Sequence, residues 1–198
     1  MRIGITGTIA SGKTTFSKML RQRGMPVFNA DQYAAICLYG SHPCAKVIAS
    51  EFGDVCMPNG DIDHKKLAAA VFHDEIKRKR LNAIVHPYVI AGMEHFFSSQ
   101  NGRLLFAEVP LLFEAGIEDH FDCIVLITCD KDTAIMRMMH DRGYSKEEAL
   151  ARYASQIDPQ IQKQKADIVI ENNGTTDDLN HAVNNLMKQL RAKERHHA

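Results

Sequence analysis

Short apolar runs alternate with longer stretches of helical period along most of this chain. The runs "RIGIT" (2–6), "PVFNA" (26–30), "RLLFAEV" (103–109), "CIVLIT" (123–128) and "DIVIEN" (167–172) predict five strands. "LLFAEV" and "CIVLIT" are nearly unbroken, as expected of parallel strands covered on both faces. "TTFSKMLRQRG", ended by Gly24, reads as an amphipathic helix after the first strand. Near the end, Leu179, Val183, Leu186 and Leu190 share one helical face and predict a closing helix packed on the sheet. This alternation predicts an α/β fold with a five-stranded parallel sheet.

Two intervals break the rhythm. Residues 37–101 read as successive helices, "HPCAKVIASEFG", "DHKKLAAAVFHDEIKRKRLNAIV" and "HPYVIAGMEHFFSS", punctuated by Gly53, Pro58–Asn59–Gly60 and Pro87. That is more helix than a crossover needs, so a helical insertion forming a second lobe is expected. Residues 142–163 are polar and predict a lid. The expected division is a nucleotide-binding core (1–36, 102–141 and 164–198), a helical acceptor lobe (37–101) and a lid (142–163). The tail "RAKERHHA" is expected to fray, with His196 and His197 solvated in preference to forming a weak metal site.

Composition narrows the classes. With 198 residues and 45% hydrophobic content, the chain can build one real core, with or without an insertion. Lys plus Arg (24) balance Asp plus Glu (24), so no global field points to nucleic acid or a membrane surface. The five cysteines form no CxxC pair, which argues against a disulfide framework or zinc cluster and for a reducing cytoplasm. "MRIGITG" is too short in its apolar part for a signal peptide, and no stretch approaches the ~20 apolar residues of a membrane span. No obligate protein partner is inferred.

"GTIASGKT" (7–14) satisfies G-x-x-x-x-G-K-[ST] between a strand and a helix. Glycines at 7 and 12 let backbone N–H groups aim at phosphate oxygens, Lys13 places a charge on the β/γ phosphates, and Thr14 offers a hydroxyl to Mg²⁺. The following helix adds the positive end of its dipole. The fold expected is therefore the three-layer P-loop NTPase fold. There is no N-K-x-D, D-x-x-G or LSGGQ-like segment, which leaves a small-molecule kinase with a helical acceptor lobe.

Other positions have two readings each. Asp31, past the second strand, either orients an acceptor hydroxyl or caps the helix "QYAAICLYG". Glu108, ending "LLFA", either holds a magnesium's waters or is a solvated strand-end charge. Asp130 is a weaker candidate of that kind and a better helix cap. Arg137 and Arg142 either grip phosphate at the start of the lid or are solvated. "KRKR" (77–80) reads as a solvated face opposite Ile76, Leu81, Ile84 and Val85, not as a nucleic-acid patch.

The whole series resembles the dephospho-coenzyme A kinase family. After "GTIASGKTT" come "NADQYA", "DIDHKKLAAAVF", "NAIVHPYV", "EVPLLFEAG", "RMMHDRG", "ASQ" and "KADIVIENNG". The resemblance implies phosphorylation of the ribose 3′-hydroxyl of dephospho-coenzyme A by ATP, giving coenzyme A and ADP, with Mg²⁺. It makes Asp31, Lys13 and Arg142 the catalytic residues and Asp31 and His86 the acceptor site; residue by residue, the alternative for His86 is a cap before Pro87. ATP would lie on Gly7, Ala10, Ser11, Gly12, Lys13, Thr14, Thr15, Arg137 and Arg142. Thr14, and Glu108 through water, would hold the metal, and Gln156 would lie on the lid's return. The chain departs from the family pattern at Thr8 and Ala10 (commonly glycines), Asn29 (usually aspartate), His64 (arginine) and Ala134 (glutamine). The alternatives are a P-loop kinase of another small acceptor, such as a nucleoside monophosphate, and a nucleotide-dependent binding module.

Overall fold

The computed structural model describes residues 1–72 and 74–196, with side-chain environments as far as Glu194. The elements run β1 (Arg2–Gly7), α1 (Lys13–Gln22), β2 (Val27–Asn29), α2 (Ala30–Ile36), α3 (Pro43–Phe52), α4 (His64–Val71) and α5 (Glu75–Ser99). They continue with β3 (Leu105–Glu108), α6 (Leu112–Ala115), β4 (Cys123–Thr128), α7 (Lys131–Arg142), α8 (Lys146–Ala154), α9 (Pro159–Lys165), β5 (Ile168–Glu171) and α10 (Thr176–His196). By contacts, the chain divides into two units, Met1–Phe28 with Gln100–Ala198, and Asn29–Ser99.

The first unit is built on a five-stranded parallel sheet ordered β2-β3-β1-β4-β5. β1 lies at its centre: Ile5 pairs with Glu108 of β3 on one side and with Val125 of β4 on the other. The continuous apolar strands β3 and β4 are buried at every position, whereas the edge strand β5 alternates between half-buried and exposed residues. One face, with Ile3, Ile5, Val125 and Ile127, packs against Phe16 and Leu20 of α1 and Leu179, Val183, Leu186 and Leu190 of α10. On the other face Gly4 lies against Leu112 and Phe121, so a side chain there would collide with them. The result is three layers, with the chain reversing direction in the sheet on either side of β1. That switch point opens a crevice at the carboxyl ends of the strands.

The second unit is helical. Cys37, Cys44, Ile48, Val55, Ile62, Leu67 and Val71 form its buried cluster, covered by Leu81, Ile84, Val85, Tyr88 and Val89 of α5. Two sequence expectations are corrected here. The long helix expected across residues 63–85 is interrupted, because the Asp74 carboxylate accepts the Lys77 N–H at 2.9 Å and its carbonyl accepts the Arg78 N–H at 3.0 Å, starting a new helix. Pro87 ends nothing: α5 runs through it. A proline there costs about 3 kcal/mol, which the apolar face of α5 offsets by packing on either side of it.

Lys77, Arg78, Lys79 and Arg80 are exposed, as expected of a solvated face, and Lys79 and Arg80 pair with Glu75 and Glu51 at 2.8 and 2.9 Å. Ile76, however, is 81% exposed. At 100° per residue it points well away from Leu81 and Val85, so the apolar face starts later than the sequence reading placed it. The tail also differs from expectation, since α10 continues as far as His196. The paired-histidine reading involves His197, which lies outside the described residues.

Candidate active site

The strand–loop–helix at the centre of the sheet sets the site. β1 ends at Gly7, where a side chain would meet the Ile127 carbonyl and the Ser11 hydroxyl. The chain turns through Thr8–Gly12, and Gly12 enters α1 with φ +87°, a left-handed conformation that glycine adopts at little cost. No side chain caps this helix among the described residues, so its first N–H groups face the crevice with the positive end of the dipole. Ala10 also has positive φ (+56°), the one non-glycine among the described residues to do so. The left-handed region costs an alanine about 1–2 kcal/mol, so residue 10 is held under strain.

Neighbouring elements fix the loop's shape. Thr8 N–H donates to the Ile127 carbonyl at 3.1 Å and Ile9 N–H to Gln156 Oε1 at 2.6 Å. Arg137 Nη1 donates to the Ala10 carbonyl at 3.3 Å, and Asn172 Nδ2 to the Ser11 carbonyl at 2.8 Å. The carbonyls of residues 10 and 11 are thereby each held by a side-chain donor. Beside the loop, burial pushes the Cys129 thiol up, with the Arg137 guanidinium opposing it.

Beneath the loop lies Glu108, only 2% exposed at the carboxyl end of β3. The Thr14 hydroxyl donates to its Oε1 at 3.0 Å, Lys13 Nζ stands 3.5 Å from the same oxygen, and Arg21 Nη2 is 3.7 Å from Oε2. A carboxylate this buried is held by its partners, which excludes the solvated strand-end reading. Hydroxyl and carboxylate oxygens are hard donors of the kind that Mg²⁺ accepts.

The loop opens onto a cavity of about 600 Å³, within the range of small-ligand pockets. Its walls include Gly7, Ala10, Ser11, Gly12, Lys13, Thr14, Thr15, Arg137 and Arg142, nine of the positions singled out from sequence. Arg142 ends α7, and Gly143, at φ +68°, turns the chain toward α8. Asp130 occupies the N-cap position of α7, with its N–H bonded to Asn173 and its side chain making no capping bond. Residues missed from sequence also line the cavity: Pro110, Leu111, Asp141, Asn172 and Gly174–Thr176. For Asn172 and Gly174–Thr176 the polar "NNGTT" at the end of the fifth predicted strand was the available signal, since ligands sit at the carboxyl ends of such strands.

Asp31 and His86 belong to the Asn29–Ser99 unit. Asp31 is exposed in the first turn of α2 but does not cap it: Asn29 Oδ1 accepts the Gln32 N–H at 2.8 Å, so the cap reading passes from Asp31 to Asn29. His86 is half-buried in the middle of α5, and because that helix continues past Pro87 it is no cap either.

A glycine-bounded loop, a lysine and a hydroxyl over a buried carboxylate, and arginines along the cavity wall define an ATP-using small-molecule kinase of the P-loop fold. The comparisons narrow the class. A family model described as dephospho-CoA kinase matches residues 1–178. The chain is 38% identical to a dephospho-CoA kinase of Geobacillus kaustophilus (strain HTA426), over 98% of this chain and 99% of that one. Among solved structures it is similar to TT1252 from Thermus thermophilus (TM-score 0.81, 34% identity, 96% and 97% of the two chains covered). It is also similar to a dephospho-CoA kinase from Campylobacter jejuni (TM-score 0.72, 27% identity, 96% of each chain). The chain belongs to the dephospho-CoA kinase family.

Proposed function

We propose that this chain transfers the γ-phosphoryl group of ATP to the ribose 3′-hydroxyl of dephospho-coenzyme A, giving coenzyme A and ADP, the last step of coenzyme A synthesis. The observation that supports it most is the Thr14–Glu108–Lys13 cluster under the loop of a chain whose family is defined by this reaction. In the transfer the acceptor oxygen bonds to the γ phosphorus, the bond from that phosphorus to the β–γ bridging oxygen breaks, and the hydroxyl proton passes to the Asp31 carboxylate. Such a transfer has a loose transition state, so positioning and positive charge matter more than covalent help. Lys13 and the N–H groups opening α1 neutralise charge growing on the β and γ oxygens. Arg137 and Arg142 grip the phosphates from α7, while Asp31 orients the acceptor and His86 contributes to its site.

Thr14 directly, and Glu108 through water, would hold Mg²⁺, which when bound screens the charge between the β and γ phosphates. Residues 37–101 form the acceptor lobe in this reading, and residues 142–163, with the two short helices α8 and α9, the lid. The chain works in the cytoplasm; its five cysteines are free thiols, and no helix of the described residues is long and apolar enough to cross a membrane. An ADP-release assay with dephospho-coenzyme A tests the reading, with nucleoside monophosphates as rival acceptors. ADP formed in step with a 3′-phosphorylated product is expected; release no faster than water-driven hydrolysis would refute it.

A further inference from the structure

Within the helical unit, the turn from α2 to α3 gathers Cys37, His42 and Cys44. Their ligand atoms all lie within 4.8 Å of one another. The spacing Cys-x4-His-x-Cys matches no familiar metal pattern, so nothing in the chain's pattern announces the cluster. Three local features build it. Cys37 closes α2, its N–H bonded to the Tyr33 carbonyl at 3.0 Å. His42 is the N-cap of α3, with Nδ1 accepting the Cys44 N–H at 3.2 Å. Cys44 then falls in the first turn of α3, and both cysteines are fully buried. The imidazole is held edge-on by Tyr33 and Tyr88, at ring-centroid distances of 6.2 and 5.5 Å, with Nε2 3.9 Å from Cys37 Sγ.

We infer that Cys37, His42 and Cys44 form a binding site for a soft d¹⁰ cation of the zinc class, with two thiolates and one imidazole from the protein. Around a tetrahedral zinc with Zn–S near 2.3 Å, neighbouring ligand atoms stand about 3.8 Å apart. Closure from the present separations is therefore at most about 1 Å, within reach of side-chain rotation. Two buried sulfurs with an imidazole favour zinc-class ions over magnesium or calcium, which take oxygen. His42 is the half-buried member, so the ion enters from its side and finds its remaining ligand, a water, there.

The protonation balance is specific. Ligation takes both sulfurs as thiolates, so binding displaces the thiol protons of Cys37 and Cys44 to solvent. The His42 ring, whose Nδ1 now accepts a bond, carries its proton on Nε2. Ligation through Nε2 moves that proton to Nδ1 and breaks the bond from the Cys44 N–H.

The test is a zinc titration of the reduced full-length chain without nucleotide, against a chromophoric chelator, repeated with Co²⁺ to read thiolate-to-metal absorption. One equivalent bound, two protons released, a thiolate band with cobalt and a shifted Cys44 amide resonance are expected. Cys37→Ser and Cys44→Ser should abolish the band, Cys56→Ser should leave it, and His42→Asn should weaken binding by at least about tenfold. Absence of the band, or uptake unchanged in both serine variants, would overturn the inference. Should the serine variants not fold, His42→Asn decides, because its amide keeps a capping acceptor while removing the ligand; unaltered affinity there overturns the site.

Discussion

Ile9 N–H donates to Gln156 Oε1 at 2.6 Å, so a side chain from the segment between α8 and α9 holds the backbone of the phosphate loop. Since Gln156 also lines the cavity, loop shape and the placing of α8 and α9 are one problem. Gln156→Ala should raise the KM for ATP about fivefold, the effect of losing a hydrogen bond of ~1 kcal/mol, with a smaller change in kcat. Gln156→Glu keeps the acceptor, and so the melting temperature, but sets a negative charge toward the phosphates and should raise KM as well. Steady-state kinetics of both variants beside their thermal unfolding check this; an unmoved KM in both would leave the bond a purely structural tie.

Asp31→Asn should lower kcat by about 100-fold or more, the scale of one acid–base group. The KM for dephospho-coenzyme A should change little. Because Asn29 caps α2, the variant should keep its stability, and a circular dichroism melt separates the two effects. A kcat within twofold of the parent would remove Asp31 from the chemistry.

Glu108→Gln leaves Thr14 an acceptor but removes the buried charge. The Mg²⁺ concentration needed for half-maximal activity should rise about 10- to 100-fold, as for loss of an outer ligand. Titrating Mg²⁺ at fixed ATP reads this directly. An unchanged midpoint would free Glu108 from the metal.

Ala10→Gly relieves the left-handed strain at residue 10. The gain of about 1–2 kcal/mol is partly offset by the greater freedom of glycine in the unfolded chain, leaving net stabilisation of about 0.5–1 kcal/mol. Chemical denaturation measures it. A destabilised variant would mean that the alanine methyl makes packing contacts worth more than the strain.

Thiol chemistry should follow burial. At about pH 8, alkylation of the native chain should label half-buried Cys56 first. Cys44, pushed up to about 11 by burial, and Cys37, Cys123 and Cys129, shifted in the same direction, should react far more slowly. Peptide mass spectrometry over time ranks them, and early labelling of Cys44 would contradict the buried turn.

What could be read from the chain, and what could not, follows from locality. Unbroken apolar runs marked β3 and β4, and the four leucine and valine positions of α10 gave their face directly, because strand and helix periods are local. The loop was legible for the same reason, being one contiguous motif. Asn172 was not, because its task is to reach the Ser11 carbonyl 161 residues away. Asp74 and Pro87 misled for a subtler reason: a capping side chain restarted a helix that periodicity would have continued, while packing carried a helix through the residue that usually stops one. The strain at Ala10 appears only once φ is known.

The sheet-bearing unit is discontinuous, and this sets an order in time. β1 leaves the ribosome before β3 and β4, and Ile3 must find Phe106 and Cys123, residues made more than a hundred positions later. At ~5–20 residues per second that wait lasts roughly 5–20 s. The helical unit, contiguous from Asn29 to Ser99 and closed by short-range contacts, has everything it needs before then. An apolar strand and its phosphate loop therefore spend the interval unpaired. Synthesis slowed before β3 lengthens the exposure of that strand, and makes it a segment for a chaperone to hold.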